Sequence, residues 1–165
     1  METNPIKILI ADDEPDIIEI ISFHLIKAGY EVITAKDGSE AIEKAQQHTP
    51  DCIILDIMMP KRNGFEVCEF LRGNKQFDKT LIVLLTALND EASHIKGLEL
   101  GGDDFINKPI SPKVLLSRIT ALFRRILPSS NDNKIIQIRD LNIDPVQYKT
   151  TLKGEVYNLA KKEFE

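Results

Sequence analysis

A chain of 165 residues is long enough for one complete domain and part of a second. Its 42% hydrophobic and 28% charged residues are ordinary for a globular protein, and no apolar run reaches the roughly 20 residues of a membrane span. A net charge of -5 argues against tight nucleic-acid binding by this stretch alone, since phosphate contacts need clustered Lys and Arg.

The N-terminus turns acidic at Asp12 and Asp13, too soon for a secretory leader. IKILIA (6–11) is the first apolar run. An amphipathic stretch, 14–29, has Pro15 near its start and Gly29 at its end, as helices prefer. EVITA (31–35) precedes a second helical pattern at 38–48. DCIILD (51–56) leads through a turn with Pro60 and Gly64 into a third, 64–73. TLIVLLT (80–86) is followed by a fourth helix at 89–101, and DDFIN (103–107) by a fifth at 111–127. The first, third and fourth runs are nearly continuous in Ile, Leu and Val, as strands covered on both faces are. Five alternations of strand and helix predict a doubly wound, flavodoxin-like α/β domain with a five-stranded parallel sheet, residues 1–127.

PSSNDNK (128–134) reads as a linker. Residues 135–165 change texture to short β-like runs divided by Asp, Pro and Gly, which predict a partial antiparallel meander. About thirty residues without a covering helix make a poor independent domain, so the chain reads as a fragment or truncated product. Cys52 and Cys68 sit in apolar contexts and read as small core residues, which fits a reducing, cytoplasmic location.

Ligands of open α/β sheets sit beyond the carboxyl ends of the strands. There this sequence places Asp12 and Asp13 after strand one, Asp56 after strand three, Thr86 after strand four, and Lys108 with Pro109 after strand five. Three crowded carboxylates repel one another unless a hard divalent cation such as Mg²⁺ joins them. A lysine ammonium and a threonine hydroxyl then suit a phosphoryl group, with a carboxylate as its acceptor. Asp56, alone on a buried strand, is the natural nucleophile, and the adjacent Asp12 and Asp13 suit metal holding. Each residue has a plainer reading: Asp12 as a cap of the first helix, Thr86 as a cap of the fourth, Lys108 as a solvated charge.

Together these segments resemble the response-regulator receiver family (CheY-like) of two-component signalling. ILIADDEP looks like its acidic pair, DIMMPKRNG like its D-x-x-M-P-x-x-x-G phosphoacceptor segment, LLTA like its strand-four end and DDFINKPI like its Lys-Pro end of strand five. The resemblance implies that Asp56 accepts phosphate from a histidine kinase. It implies that Asp12, Asp13, Asp56 and the backbone carbonyl of Met58 hold Mg²⁺, that Lys108 contacts the phosphoryl group, and that Lys108–Pro109 is cis. It also implies a switch in which Thr86 moves toward the phosphoryl group and the ring at Phe105 takes the vacated space. Family members often carry Tyr at that position. Phe105 lacks the hydroxyl, so its outward state is expected to be less favoured.

IRDLNIDPVQYKTTLKGEVYNLAKKEFE is similar to the opening of the OmpR/PhoB-type winged-helix effector domain, with LAKKEF at its LTxxEF segment. The DNA-reading helix of that domain is not in this chain, so contact with DNA would run only through the missing winged-helix part. In that subfamily the fourth helix, fifth strand and fifth helix form a homodimer face. Here Ile95 and Leu98 fall at its apolar centre. Asp104 with Arg118, and Asp103 with Arg125, fall at cross-dimer pairs, and a third pair falls on His94 and Val114 and is missing. Isolated rim pairs contribute little, so the face is weakened, not lost.

Three other readings compete. An aspartate-nucleophile phosphatase usually keeps a second Asp two residues after the nucleophile, where this chain has Met58, so it lacks a proton carrier and is not read as an enzyme. A stand-alone receiver would act through protein contacts alone. A flavodoxin-like nucleotide binder lacks the glycine-rich phosphate loop, and ADDEPD would repel phosphate in the absence of metal. The kinase is expected to be chosen near the first helix.

Met58 and Leu88 are expected to flank the path of attacking water, and neither side chain orients it. The phosphoryl group is therefore expected to last hours rather than seconds. A phosphate-release assay without added phosphatase checks this, and loss within a minute would refute it.

Overall fold

The computed structural model describes residues 4–87 and 91–126, and beyond them the backbone of four short strands. Contacts divide the chain into two units, Met1–Ile119 and Thr120–Glu165.

From Lys7 to Ile126 strands and helices alternate as the sequence predicts, the unit boundary falling within the last helix. The order is β1 (Lys7–Ala11), α1 (Pro15–Lys27), β2 (Glu31–Ala35), α2 (Gly38–His48), β3 (Cys52–Asp56), α3 (Gly64–Arg72), β4 (Leu81–Thr86), α4 (Glu91–Glu99), β5 (Asp104–Asn107) and α5 (Pro112–Ile126). The strands form one parallel sheet in the order β2-β1-β3-β4-β5. Predicted and observed ends coincide or differ by one or two residues, where the ends of elements fray.

The central apolar runs are buried because both faces of the sheet are covered there. Every residue of β3 and of β4 is buried. Leu9, Ile53, Leu55, Ile82 and Leu84 share one core with Ala41 and Ala45 of α2 and Val67, Cys68 and Leu71 of α3. Successive strand residues point to opposite faces, so Ile8, Ile10 and Ile54 turn to the other side, where Ile21 and Leu25 of α1 and Leu115 and Ile119 of α5 are also buried. Cys52 and Cys68 are buried free thiols. Burial holds the Cys52 thiol far above its ordinary range and pushes Cys68 up to about 11, so neither offers a reactive thiolate.

Local chemistry sets the helix starts. Asp37 caps α2 by accepting from Glu40 N at 2.8 Å. Its other oxygen accepts from Lys61 Nζ at 2.8 Å, which ties α2 to the loop after β3. Asn63 and Glu66 form a reciprocal capping box on α3.

One element escaped the sequence pattern. A single 3-10 turn, Lys75–Phe77, lies between α3 and β4 and buries Phe77 completely. Arg72 at the end of α3 gathers the neighbourhood. Its Nε donates to Gly101 O at 2.8 Å, Nη1 to Phe77 O at 2.9 Å and Nη2 to Asp103 Oδ2 at 2.8 Å.

In the second unit, Ile136–Ile138 (β6), Leu141–Asp144 (β7), Lys149–Leu152 (β8) and Glu155–Asn158 (β9) pair antiparallel between neighbours, in chain order. The predicted linker, 128–134, and the LAKKEF segment at 159–164 lie outside the described residues. Among the described residues no helix is long and apolar enough to cross a membrane.

Phe77→Ala removes a fully buried ring from the main core and should destabilise the domain by about 3–5 kcal/mol, read as a lower midpoint in urea unfolding. An unchanged midpoint would mean that the 3-10 turn is not part of the cooperative unit.

Candidate functional site

The sheet register builds the site. Ala11 pairs with Leu55, so Asp12 and Asp56, each one residue further on, leave adjacent strands at one level. Asp56 pairs with Leu85, and Thr86 pairs with Asn107, so Thr86 and then Lys108 arrive at the same edge. The Lys108 N–H donates to Thr86 O at 2.7 Å, and the Lys108–Pro109 peptide is cis.

Asp12, Asp13 and Asp56 each present a carboxylate oxygen within 4.8 Å of the others. Asp12 and Asp56 are buried and Asp13 is exposed, so the cluster opens to solvent on one side. Asp12 does not cap α1. The cap is Glu14, whose side chain makes no capping bond, and Asp12 Oδ1 instead accepts from Glu14 N at 2.9 Å. Asp12 Oδ2 is buried without a hydrogen bond of good geometry. A buried carboxylate oxygen in that state fits a cation ligand better than a solvated turn former. The donor set is all oxygen, the chemistry of a hard divalent cation.

Lys108 is the protein's own counter-charge. Its Nζ lies 3.0 Å from Asp12 Oδ2, 3.0 Å from Glu14 Oε1 and 3.4 Å from Asp56 Oδ2. Burial opposes its charge, but the hydrogen bond to Glu14, the ion-pair contact with Asp12 and the field of Asp56 outweigh burial and hold it above the ordinary lysine range. It is therefore a constant cation, not a solvated surface charge. For Asp56 burial dominates and, with the charge of Asp12, pushes the carboxyl above its usual value; Lys108 and the Met58 N–H pull the other way. The Met58 N–H lies 3.4 Å from Asp56 Oδ1.

Gly64 has a specific task at this site. It starts α3 directly against the Asp56 backbone, and a Cβ there would overlap the Asp56 carbonyl oxygen. Its N–H donates to Ile57 O at 2.9 Å, closing the turn after β3.

The other predicted residues fall as follows. Thr86 is fully buried at the end of β4. Phe105 is half-buried against the main core. Its ring lies over Gly97, where a Cβ would collide with it, and 4.5 Å from the His94 ring. Ile95, Leu98 and Val114 are exposed apolar side chains, and Arg125 is exposed. Asp104 is engaged within the chain by Arg118 Nη1 at 2.8 Å, and Asp103 by Arg72 and by Ile82 N at 2.8 Å. Met58 is exposed beside Asp56, and Leu88 lies outside the described residues. Glu14 was not among the predicted site residues. Its adjacency to Asp13 in the sequence was a signal, but its partner lies 94 positions away.

Comparison with known proteins follows the same lines. Residues 8–120 match the family described as Response regulator receiver domain. The chain is 44% identical over 167 residues to the alkaline phosphatase synthesis transcriptional regulatory protein PhoP of Bacillus subtilis (strain 168), covering 96% of this chain and 69% of that protein. Among solved structures, chemotaxis response regulator CheY4 of Vibrio cholerae is 36% identical with a TM-score of 0.69, covering 72% of this chain and 99% of that one. DrrB, an OmpR/PhoB homolog of Thermotoga maritima, is 32% identical with a TM-score of 0.65 and covers 97% of this chain and 69% of that one.

The raised Asp56 carboxyl sets a pH dependence. An acid whose folded value lies above its unfolded one costs stability once the unfolded chain ionises, and the cost disappears below that pH. Without divalent cation, Asp56→Asn should therefore unfold at a higher temperature than the wild type at neutral pH, and the gap should close in acid. Thermal unfolding across pH checks this. A gap that widens as pH falls would contradict it.

Proposed function

The chain belongs to the response-regulator receiver family, and on that premise we propose that Asp56 accepts a phosphoryl group from a sensor histidine kinase. Family membership makes it a regulator of a two-component system, not a catalytic enzyme. The observation that carries the proposal is the convergence of Asp12, Asp13, Asp56 and the Lys108 ammonium at one sheet edge. In transfer, the N–P bond of the phosphohistidine breaks as an O–P bond forms to an Asp56 oxygen. Lys108 offers ammonium hydrogens to the phosphoryl oxygens, and Gly64 keeps the acceptor's backbone fixed. Mg²⁺ fits the oxygen donors of Asp12, Asp13, Asp56 and the Met58 backbone carbonyl, and it supplies positive charge that offsets the crowded carboxylates.

We further propose that the added charge at Asp56 biases Thr86 and Phe105 as a coupled pair. The packing of the Phe105 ring over Gly97 supports an inward preference. The α4, β5 and α5 face, with Ile95 and Leu98 exposed at its centre, would then pair two copies. Asp104 with Arg118 and Asp103 with Arg125 would exchange partners across that dimer. Both acids are held inside one chain at present, so dimerisation must compete with Arg118 and Arg72 of the same chain.

Residues 1–127 would form the receiver, 128–134 the linker and 135–165 the opening meander of an OmpR/PhoB-type winged-helix domain. Similarity to a transcriptional regulator over 96% of the chain supports this reading and a cytoplasmic, gene-regulating role.

Beryllofluoride or acetyl phosphate with Mg²⁺ should give a dimer by sedimentation, and acetyl phosphate a one-phosphoryl mass increase, both lost in Asp56→Asn. Phe105→Tyr should show a smaller dimer fraction before phosphorylation. No Mg²⁺-dependent adduct at Asp56 would reject the function, and equal resting dimer fractions would reject the Phe105 reading alone.

A further inference from the structure

The N-cap of α1 is occupied by a residue that does no capping. Glu14 has extended backbone angles, φ -93 and ψ 108, and its side chain makes no bond to the helix. Asp, Asn, Ser and Thr are the preferred residues there, since their short side chains reach the first free N–H groups. Glu14 is turned instead toward the phosphoacceptor edge, where Oε1 accepts from Lys108 Nζ at 3.0 Å.

A lysine ammonium has three hydrogens, and Lys108 has three carboxylates around it. The contact to Glu14 has hydrogen-bond geometry, whereas Asp12 Oδ2 accepts no such bond and Asp56 is farther, at 3.4 Å. The ammonium is thus held best by the one acid of the three that is open to water, with 60% side-chain exposure against 0% and 4% for Asp12 and Asp56.

We propose that Glu14 is a positioning residue that parks Lys108 in the unphosphorylated state, so that a phosphoryl donor must displace Glu14 before it gains the ammonium. The inference rests on Asp56 being the phosphoacceptor. Glu14 acts through Lys108 and touches no reacting atom. Its charge alone would also repel an anionic donor, so the two effects must be separated. The backbone of Glu14 is fixed, since its N–H donates to Asp12 Oδ1 at 2.9 Å. An aspartate at this position keeps the charge but is one methylene short of Lys108. It also suits the helix N-cap better than glutamate does, its short side chain reaching the first-turn backbone.

The test is phosphorylation of the full chain by acetyl phosphate with Mg²⁺, followed by mass against donor concentration for wild type, Glu14→Gln and Glu14→Asp. Parking competes with donor binding, so the half-saturating donor concentration should fall about two- to fivefold in both variants, the range of a solvent-exposed ion pair. The maximal rate should change less. Thermal unfolding should show Glu14→Asp at least as stable as the wild type, which separates the effect from damage to the fold. A drop in Glu14→Gln with none in Glu14→Asp would assign the effect to charge repulsion and overturn the proposal. No drop in either would overturn it while the phosphoacceptor reading stands. If the wild type takes no phosphoryl group at Asp56, both fall together.

Discussion

A buried cluster of like charges at the open end of a hydrophobic sheet is the constraint around which this domain is arranged. Asp12 and Asp56 leave neighbouring strands at one level because Ala11 and Leu55 are paired below them. Neither carboxylate can retreat into water, since both strands are covered on both faces. Such a pair is tolerable only with a cation nearby. The chain supplies one just after β5, 52 positions after Asp56, and the distances of 3.0 Å and 3.4 Å show it shared between the two acids.

This balance is incomplete by construction. One ammonium faces three carboxylates, Asp13 adds a fourth nearby, and Asp12 still holds an oxygen without a hydrogen bond. A site with surplus negative charge and oxygen donors favours further positive charge, and Lys108, held above the ordinary lysine range, keeps its own charge beside them. The same residues therefore account for a folded resting state and for a receptive one. The elements around the site are stiffened to hold that geometry. Gly64 brings α3 against the Asp56 carbonyl, the Asn63–Glu66 box starts the helix, and Lys61 ties the intervening loop to Asp37.

The opposite end of the sheet is organised by Arg72. Its three bonds draw together α3, the 3-10 turn and the loop before β5. Asp103, an exposed acid in the sequence pattern, is consumed there by Arg72 and the backbone of Ile82. Asp104 is likewise taken up by Arg118. Charges that read as available for a partner are thus engaged first within their own chain.

The sequence alone determined the architecture and most of the acidic edge of the sheet. Continuous Ile, Leu and Val runs specify strands buried on both faces, five alternations specify the parallel sheet, and Asp12, Asp13, Asp56, Thr86 and Lys108 stand at strand ends where such sheets bind ligands. These are local patterns, legible because burial and periodicity are written in consecutive residues. Only the tertiary structure decided which charge meets which. Glu14 reaching Lys108, Lys61 reaching Asp37 and Arg72 reaching Asp103 join residues 94, 24 and 31 positions apart. The burial of Phe77 in a three-residue turn is of the same kind. No periodicity marks them, because they follow from where the sheet register and the crossovers set distant loops side by side.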